Sequence, residues 1–328
     1  MSPLTFEAEP FAISQHPASD EQCNGPNCRA TSERGQRNED FEEPEEEFSA
    51  FEFESEASSD ASELEATISL ASKLAALRSW TKLLLLKVPE NIRASLGARK
   101  MRVQYAHNES YSNDLNIDLY PVRINRFPSY RGKLMTAPMM LKHIRMNINS
   151  LLDTSISSFH PYSTSMDAPR WASDDPTGAV MKIRIPGDNA AVVVSSATPT
   201  GWTFSTIDTP DTGTHPVSGH RTFFFARRAG VYYFINKGLD VTSSGIAGVG
   251  LPVAGEYGYG RGDKLWRGLQ DRLVEFVNKN GGDATKEKRF SERIEWRFVF
   301  HRYKGALERV FGKGAGSAAK SPFLDVVN

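Results

Sequence analysis

At the centre of the chain, His215-Pro-Val-Ser-Gly-His-Arg-Thr-Phe-Phe-Phe-Ala-Arg-Arg-Ala-Gly-Val-Tyr-Tyr-Phe-Ile-Asn236 reads as an antiparallel pair of strands with bulky side chains on both faces. A hairpin with one wet face alternates apolar and polar residues, and this one does not. Both faces must therefore be covered. A packed helix can cover one; the other requires a second layer or a cavity holding a ligand.

The flanking sequence supplies candidates for the covers. Upstream, Met181, Ile183 and Ile185 alternate with Lys182 and Arg184 as a half-buried strand. Pro186-Gly-Asp-Asn is a turn, Ala190 to Ser195 a second strand, and Trp202, Phe204 and Thr206 a third. Downstream, a helix opening near Asp263 carries Leu265, Trp266, Leu269, Leu273, Phe276 and Val277 on one wide stripe, and Asn280-Gly-Gly ends it. Ile294, Trp296, Phe298 and Phe300 then alternate like one more strand.

Residues 100–135 read as extended, with Leu115, Ile117 and Leu119 alternating with polar residues. Thr136-Ala-Pro-Met opens a helix, Thr136 as its cap and Pro138 in its first turn. Met139, Met140, Ile144, Ile148, Leu151 and Leu152 form its apolar side, with His143 and Arg145 on the polar side. An earlier helix over 63–88 repeats Ile68, Leu74, Leu77 and Leu84 and stops at Pro89. Lys73, Arg78, Lys82 and Lys87 make it basic, so it either docks on the domain or lies on a membrane surface.

Charge divides the chain. Residues 1–65 hold 18 acidic and 3 basic side chains, leaving 22 acidic against 36 basic in the rest. The acidic segment cannot bury enough apolar surface to offset chain entropy and is expected to be disordered. Phe41, Phe48, Phe51 and Phe53 interrupt it, which suits either a solubility tail or a recognition segment for a protein partner. The expected layout is an acidic tail over 1–62, a helical linker over 63–98, a globular domain over 99–312 and a frayed end over 313–328. The basic residues of the body are scattered, which argues against nucleic acid as a partner. The only cysteines, Cys23 and Cys28, lie in the acidic segment, supply half of a zinc set and are read as free thiols of a reducing cytoplasm. The N-terminus lacks the basic and apolar regions of a secretory signal, and no stretch reaches 18 apolar residues, so no transmembrane segment is expected. The expected location is the cytoplasm, or outside it by a route without such a signal.

The chemistry-bearing residues are few. His215 and His220, with Asp208 and Asp211 nearby, are the candidate acid–base or metal-ligating groups. A five-residue step along one strand puts the two imidazoles on opposite faces unless the turn at Val217-Ser-Gly brings them together. Gly255-Glu-Tyr-Gly-Tyr-Gly-Arg-Gly-Asp-Lys precedes a helix, where phosphates are often cradled, but it fails the Walker spacing and Asp263 would repel an anion. It reads as a flexible flap over a pocket. Without His-Glu-x-x-His, Gly-x-Ser-x-Gly or kinase signatures, no metal and no cofactor is expected, and binding is favoured over catalysis.

An antiparallel sheet closed by a long C-terminal amphipathic helix resembles the helix-grip proteins of the START and Bet v 1-like families. More narrowly, Trp202-Thr-Phe-Ser-Thr, His215-Pro-x-x-Gly-x-x-x-Phe, Tyr233-Phe-Ile and the Trp266 helix are similar to uncharacterised bacterial proteins of that type, over residues 178–280. The resemblance implies an α+β fold and a soluble bacterial protein that binds an apolar small molecule or lipid between sheet and helix. Trp202, Phe204, Phe223, Phe225, Tyr233 and Trp266 are then the expected lining. Two other roles stand beside it. One is an exported effector or toxin cargo, loaded through the acidic tail and hydrolytic at His215, His220 and Asp208. The other is an interaction module with no small-molecule ligand.

Overall fold

Helices cover both faces of one large antiparallel sheet. The structure, a computed structural model, describes residues 61–185, 188–243 and 254–315. The acidic tail, its cysteines, the turn at 186–187 and the segment 316–328 lie outside the described residues.

Along the chain, α1 (Ala61–Leu77) passes through a 3-10 turn at Arg78–Trp80 into α2 (Thr81–Leu84), and α3 (Glu90–Ala98) follows Pro89. Next come β1 (Arg102–Val103), the single turn α4 (Ala106–Glu109), the long β2 (Ser110–Arg126), and a small hairpin of β3 (Ser129–Tyr130) and β4 (Lys133–Leu134). Then α5 (Ala137–Met146) and α6 (Ile148–Leu151) lead through β5 (Ser158–Pro161) to α7 (Asp167–Ala172). Five strands follow: β6 (Val180–Ile185), β7 (Asp188–Thr198), β8 (Gly201–Asp208), β9 (Val217–Arg228) and β10 (Val231–Ser243). After them come α8 (Ala254–Lys279), β11 (Asp283–Lys286), β12 (Phe290–Glu295) and α9 (Trp296–Phe311).

The strands pair in the order β11-β2-β10-β9-β8-β7-β6-β5, with β12 also on β2 and β1 on β8. The central hairpin closes at Ala229 and Gly230, whose φ values of +47° and +82° give the two-residue turn that matches strand twist. Alternation then sorts the side chains. Tyr120, Val122, Ile124, Trp202, Phe204, Phe223, Phe225 and Phe234 face α5, α6 and α8 in one buried cluster, the inner face. On the outer face, Leu115, Ile117, Leu239, Val241 and Ile294 pack under Leu77, Trp80, Leu83, Trp296, Val299 and Leu307. Beside them, Val180, Ala191, Val193 and Ile207 pack under Val88, Ile92, Leu96 and Met101 of the α3 region. On the central hairpin this second helical layer covers Leu239 and Val241 of β10, while Phe224, Tyr233 and Ile235, toward the turn, are half-buried and belong to none of these clusters. The basic helix over 63–88 docks on the sheet through Leu77, Trp80, Leu83 and Leu84, and Trp80 Nε1 donates to the Gly238 carbonyl at 2.8 Å.

Several local expectations change. The Thr136 cap stands, its hydroxyl accepting from the Met139 amide at 3.4 Å. Arg145, however, is buried: its guanidinium donates to the carbonyls of Trp171 and Ser173 and lies 5.2 Å from the Trp171 ring. The strand expected through Trp296, Phe298 and Phe300 ends at Glu295, and these residues begin α9. Trp296, Val299, Phe300, Tyr303 and Leu307 recur at helical spacing, a period that the first aromatic residues alone disguise as alternation. The flap also changes character. From Ala254 onward the glycine-rich segment is part of α8, while 244–253 lie outside the described residues. Each glycine disfavours the helix by about 1 kcal/mol, which is why the local sequence reads as loop. Tertiary bonds hold it: Tyr259 Oη accepts from Thr242 at 3.2 Å and donates to the Asp114 carbonyl at 3.3 Å. Among the described residues, no helix is long and apolar enough to cross a membrane.

Candidate functional site

The pairing register lays the inner face out as a grid. One row crosses four strands as Trp202, Phe223, Asn236 and Tyr120; the next crosses as Phe204, Arg221, Gly238 and Asp118; a third brings Gly219, Asp240 and Asn116 together. The first row is mainly aromatic. Phe223 stacks on Trp202 at 4.7 Å and meets Trp266 of α8 edge-on at 5.7 Å, and Trp171 and Phe204 extend the cluster. Five of the six expected lining residues thus come together. Tyr233 does not, since it neighbours Phe234 on the strand and points to the opposite face.

The second and third rows hold a buried charged cluster that was not expected. Arg221 donates to Asp118 Oδ2 at 2.8 Å and Asn236 Oδ1 at 2.9 Å, lies 3.6 Å from Asp240, and has its guanidinium 4.5 Å from the Trp266 ring centre. Gly238 makes this possible, because a Cβ there would sit 2.2 Å from Arg221 Nη2 and 2.6 Å from Asp118 Oδ1. Burial opposes the Arg221 charge, and Asp118 and Asp240 more than offset that, so its pKa is raised. Burial and the neighbouring Asp118 push the Asp240 carboxyl up to about 7, against the pull of Arg221. Tyr120 donates to Asp263 Oδ1 at 3.1 Å, and Arg289 approaches the same carboxylate at 2.9 Å. Asp263 is also a wall of a surface cavity of about 420 Å³, with Lys73, Tyr259, Arg289, Glu292 and Arg293 around it. The Tyr120–Asp263 bond therefore joins the charged cluster to that cavity.

Three polar atoms of this face are buried without a hydrogen-bond partner among the described residues: Trp202 Nε1, Asp118 Oδ1 and Asn236 Nδ2. Two lie in the first row and the third in the second row. Such atoms cost about 1–3 kcal/mol each unless water or a ligand meets them.

The histidines and Asp208 do not converge. His215 Nδ1 accepts from the Val217 amide at 3.1 Å, and Gln104 Oε1 accepts from the His215 amide at 2.7 Å. His220 lies on β9 with Nδ1 2.8 Å from Ser205 Oγ, a buried pair. Asp208 pairs with Arg102 at 3.1 Å. Among the described residues, no three histidine, cysteine or acidic side chains are grouped to hold a metal.

Burial lowers His107 and His215 to about 4; burial, helped by His107, lowers His220 to about 3. All three are neutral in the fold near pH 6, where the unfolded chain is taking up protons. Their stabilising contribution is thus complete above about pH 6.5 and is lost as pH falls toward 4, by about 1.4 kcal/mol per pH unit for each histidine. Asp240 acts oppositely: its raised pKa contributes stability below its ordinary range, lost as pH rises through about 7. Three histidines outweigh one carboxyl. Melting followed by circular dichroism is expected to show a clear fall in Tm between pH 7 and pH 5; a flat Tm would mean the imidazoles are solvated.

No family profile and no curated protein sequence matches the chain. Solved structures similar to it in part include the following two. Ara h 8.0201 matches at 9% identity with a TM-score of 0.30, over 48% of this chain and 99% of that one. Protein Ms6760 from Mycobacterium smegmatis matches at 9% identity with a TM-score of 0.29, over 51% of this chain and 95% of that one. Likenesses this distant carry no argument about function.

Proposed function

We propose that the protein binds a small, largely apolar molecule between the inner face and α8, in a helix-grip-like arrangement. The observation that carries this reading is the set of three unpartnered polar atoms on Trp202, Asp118 and Asn236, all on the face that α8 covers. Each gains a partner if a ligand carrying both a donor and an acceptor reaches it. The apolar body of the ligand lies against Phe223 and Trp266, and its head reaches toward the Arg221 cluster. Because Arg221 is already paired with Asp118 and approached by Asp240, an anionic head would be left without a counter-charge. A neutral head, such as an amide or hydroxyl, suits the cluster. Entry is from the Tyr259 and Asp263 end of α8, where the surface cavity adjoins the cluster. The hydrolytic alternative draws no support from His215, His220 and Asp208, which stand apart with separate partners.

Native mass spectrometry of the purified full chain, followed by solvent extraction, tests the reading. A stoichiometric small molecule retained by the wild type and lost from Trp202→Phe is the expected result. Absence of any adduct, together with no change of Tm on adding long-chain alcohols or amides, would overturn it.

A further inference from the structure

A second cavity, of about 380 Å³, opens on the other side of the sheet between α3, the segment after β1 and the end of α9. Its wall carries three cationic side chains, Lys87, Arg93 and Lys313, and none of its lining residues among the described ones is acidic. Its aromatic side is a trio: His107 lies 4.0 Å from Phe311 and 5.4 Å from Tyr105, and Tyr105 is 5.0 Å from Phe311. His107 is only 2% exposed, lines the cavity, and its Nε2 has no partner among the described residues.

The cations are only partly committed. Lys87 donates to the Val310 carbonyl at 3.2 Å, so one of its three donors offsets the negative end of α9 and two are left. Arg93 donates through Nε to the Val88 carbonyl at 3.0 Å and pairs with Glu90, a carboxylate that is 76% exposed. The Tyr105 hydroxyl accepts from the Val88 amide at 3.2 Å, which leaves its own proton to donate. Donors and positive charge thus surround an aromatic wall, and the one buried imidazole on it has an unmet nitrogen.

We propose that this cavity is a binding site for a small organic phosphate whose phosphoryl group is carried on a flat ring. The ring packs against Phe311 and Tyr105, and the phosphate draws on Lys87, Arg93 and Lys313. A phosphate monoester brings about two negative charges and three acceptor oxygens, which matches three cations better than a monocarboxylate does. His107 Nε2 gains its missing partner from the bound ester. This site stands apart from the inner face and does not depend on the reading given for it.

Phenyl phosphate is the probe, titrated into the full chain by calorimetry and by NMR of the histidine rings. The expected result is saturable binding with a Kd below about 10 mM, a shift of the His107 ring signals, and tighter binding than inorganic phosphate. Lys313→Ala and Lys87→Ala, both at exposed positions, are each expected to weaken it about fivefold, the loss of one cation at contact distance in a water-like dielectric. Trp202→Phe is expected to leave it unchanged, which separates this site from the inner one. No saturation, binding indifferent to both lysines, or inorganic phosphate binding as tightly as the phenyl ester would each overturn the proposal.

Discussion

Arg221→Met is expected to lower the unfolding free energy of the full chain by about 3–5 kcal/mol, the usual cost of removing one partner from a buried ionic group. The guanidinium is the only cation within salt-bridge distance of Asp118 and Asp240 among the described residues, and their side chains are 6% and 15% exposed. Methionine fills part of the volume beside Trp266 but leaves two carboxyl groups facing each other in a low-dielectric site. One of them then takes up a proton at neutral pH, which limits the damage without abolishing it. Denaturant unfolding of the variant gives the number. Adding Asp118→Asn to Arg221→Met is expected to recover part of the loss, since it removes a charge that no longer has a partner. Arg221→Lys recovers little, because an ammonium cannot reach Asp118 and Asn236 together as the fork does. An unchanged midpoint for Arg221→Met would mean that water reaches the cluster.

The second large effect is steric. Gly219→Ala is expected to destabilise the protein by more than about 3 kcal/mol, in the tail of single-substitution effects. A Cβ at position 219 would stand 2.1 Å from the Leu239 carbonyl oxygen and 2.8 Å from the Asp240 Cα, both backbone atoms of the paired strand. Relief requires β9 and β10 to separate at the point where Asp240 is held near Arg221. The Gly219 amide also donates to Thr206 Oγ1 at 2.9 Å, a bond that any such shift would strain. Gly97→Ala, where a Cβ meets nothing within 4 Å, is the matched control and is expected to be neutral or slightly stabilising. Equal thermal stability of the two variants would contradict the close approach of the strands.

These two residues show what a single sequence can and cannot display. The stripe from Leu265 to Val277 was readable because one helix carries its own period, and the central hairpin because its composition leaves no wet face. The start of α8 was not readable, since four glycines speak for loop and the bonds of Tyr259 that override them come from β10 and the start of β2. The charged cluster was hidden for a related reason. Asp118 alternates with Leu115, Ile117 and Leu119 in the manner of a solvent-facing residue, and only pairing with β10, which in turn pairs with β9, turns it toward Arg221. One signal was available: Arg221 stands two and four residues before Phe223 and Phe225, and so shares their face. An arginine in line with a buried aromatic row calls for a buried acid. The histidines draw attention for their chemistry; in the fold His215 bonds the Val217 amide and His220 the Ser205 hydroxyl.

The first turns of α8 have one more consequence. Gly260 and Gly262 have nothing within 4 Å among the described residues where a side chain would be. These glycines leave this end with low intrinsic helicity, and its amides are expected to exchange with solvent through small local openings rather than global unfolding. The bottom of the helix, anchored by Leu269, Leu273 and Val277, stays closed during such openings. By this expectation α8 exchanges slowly at its C-terminal end and fastest at the end that stands over Asp118 and Arg221.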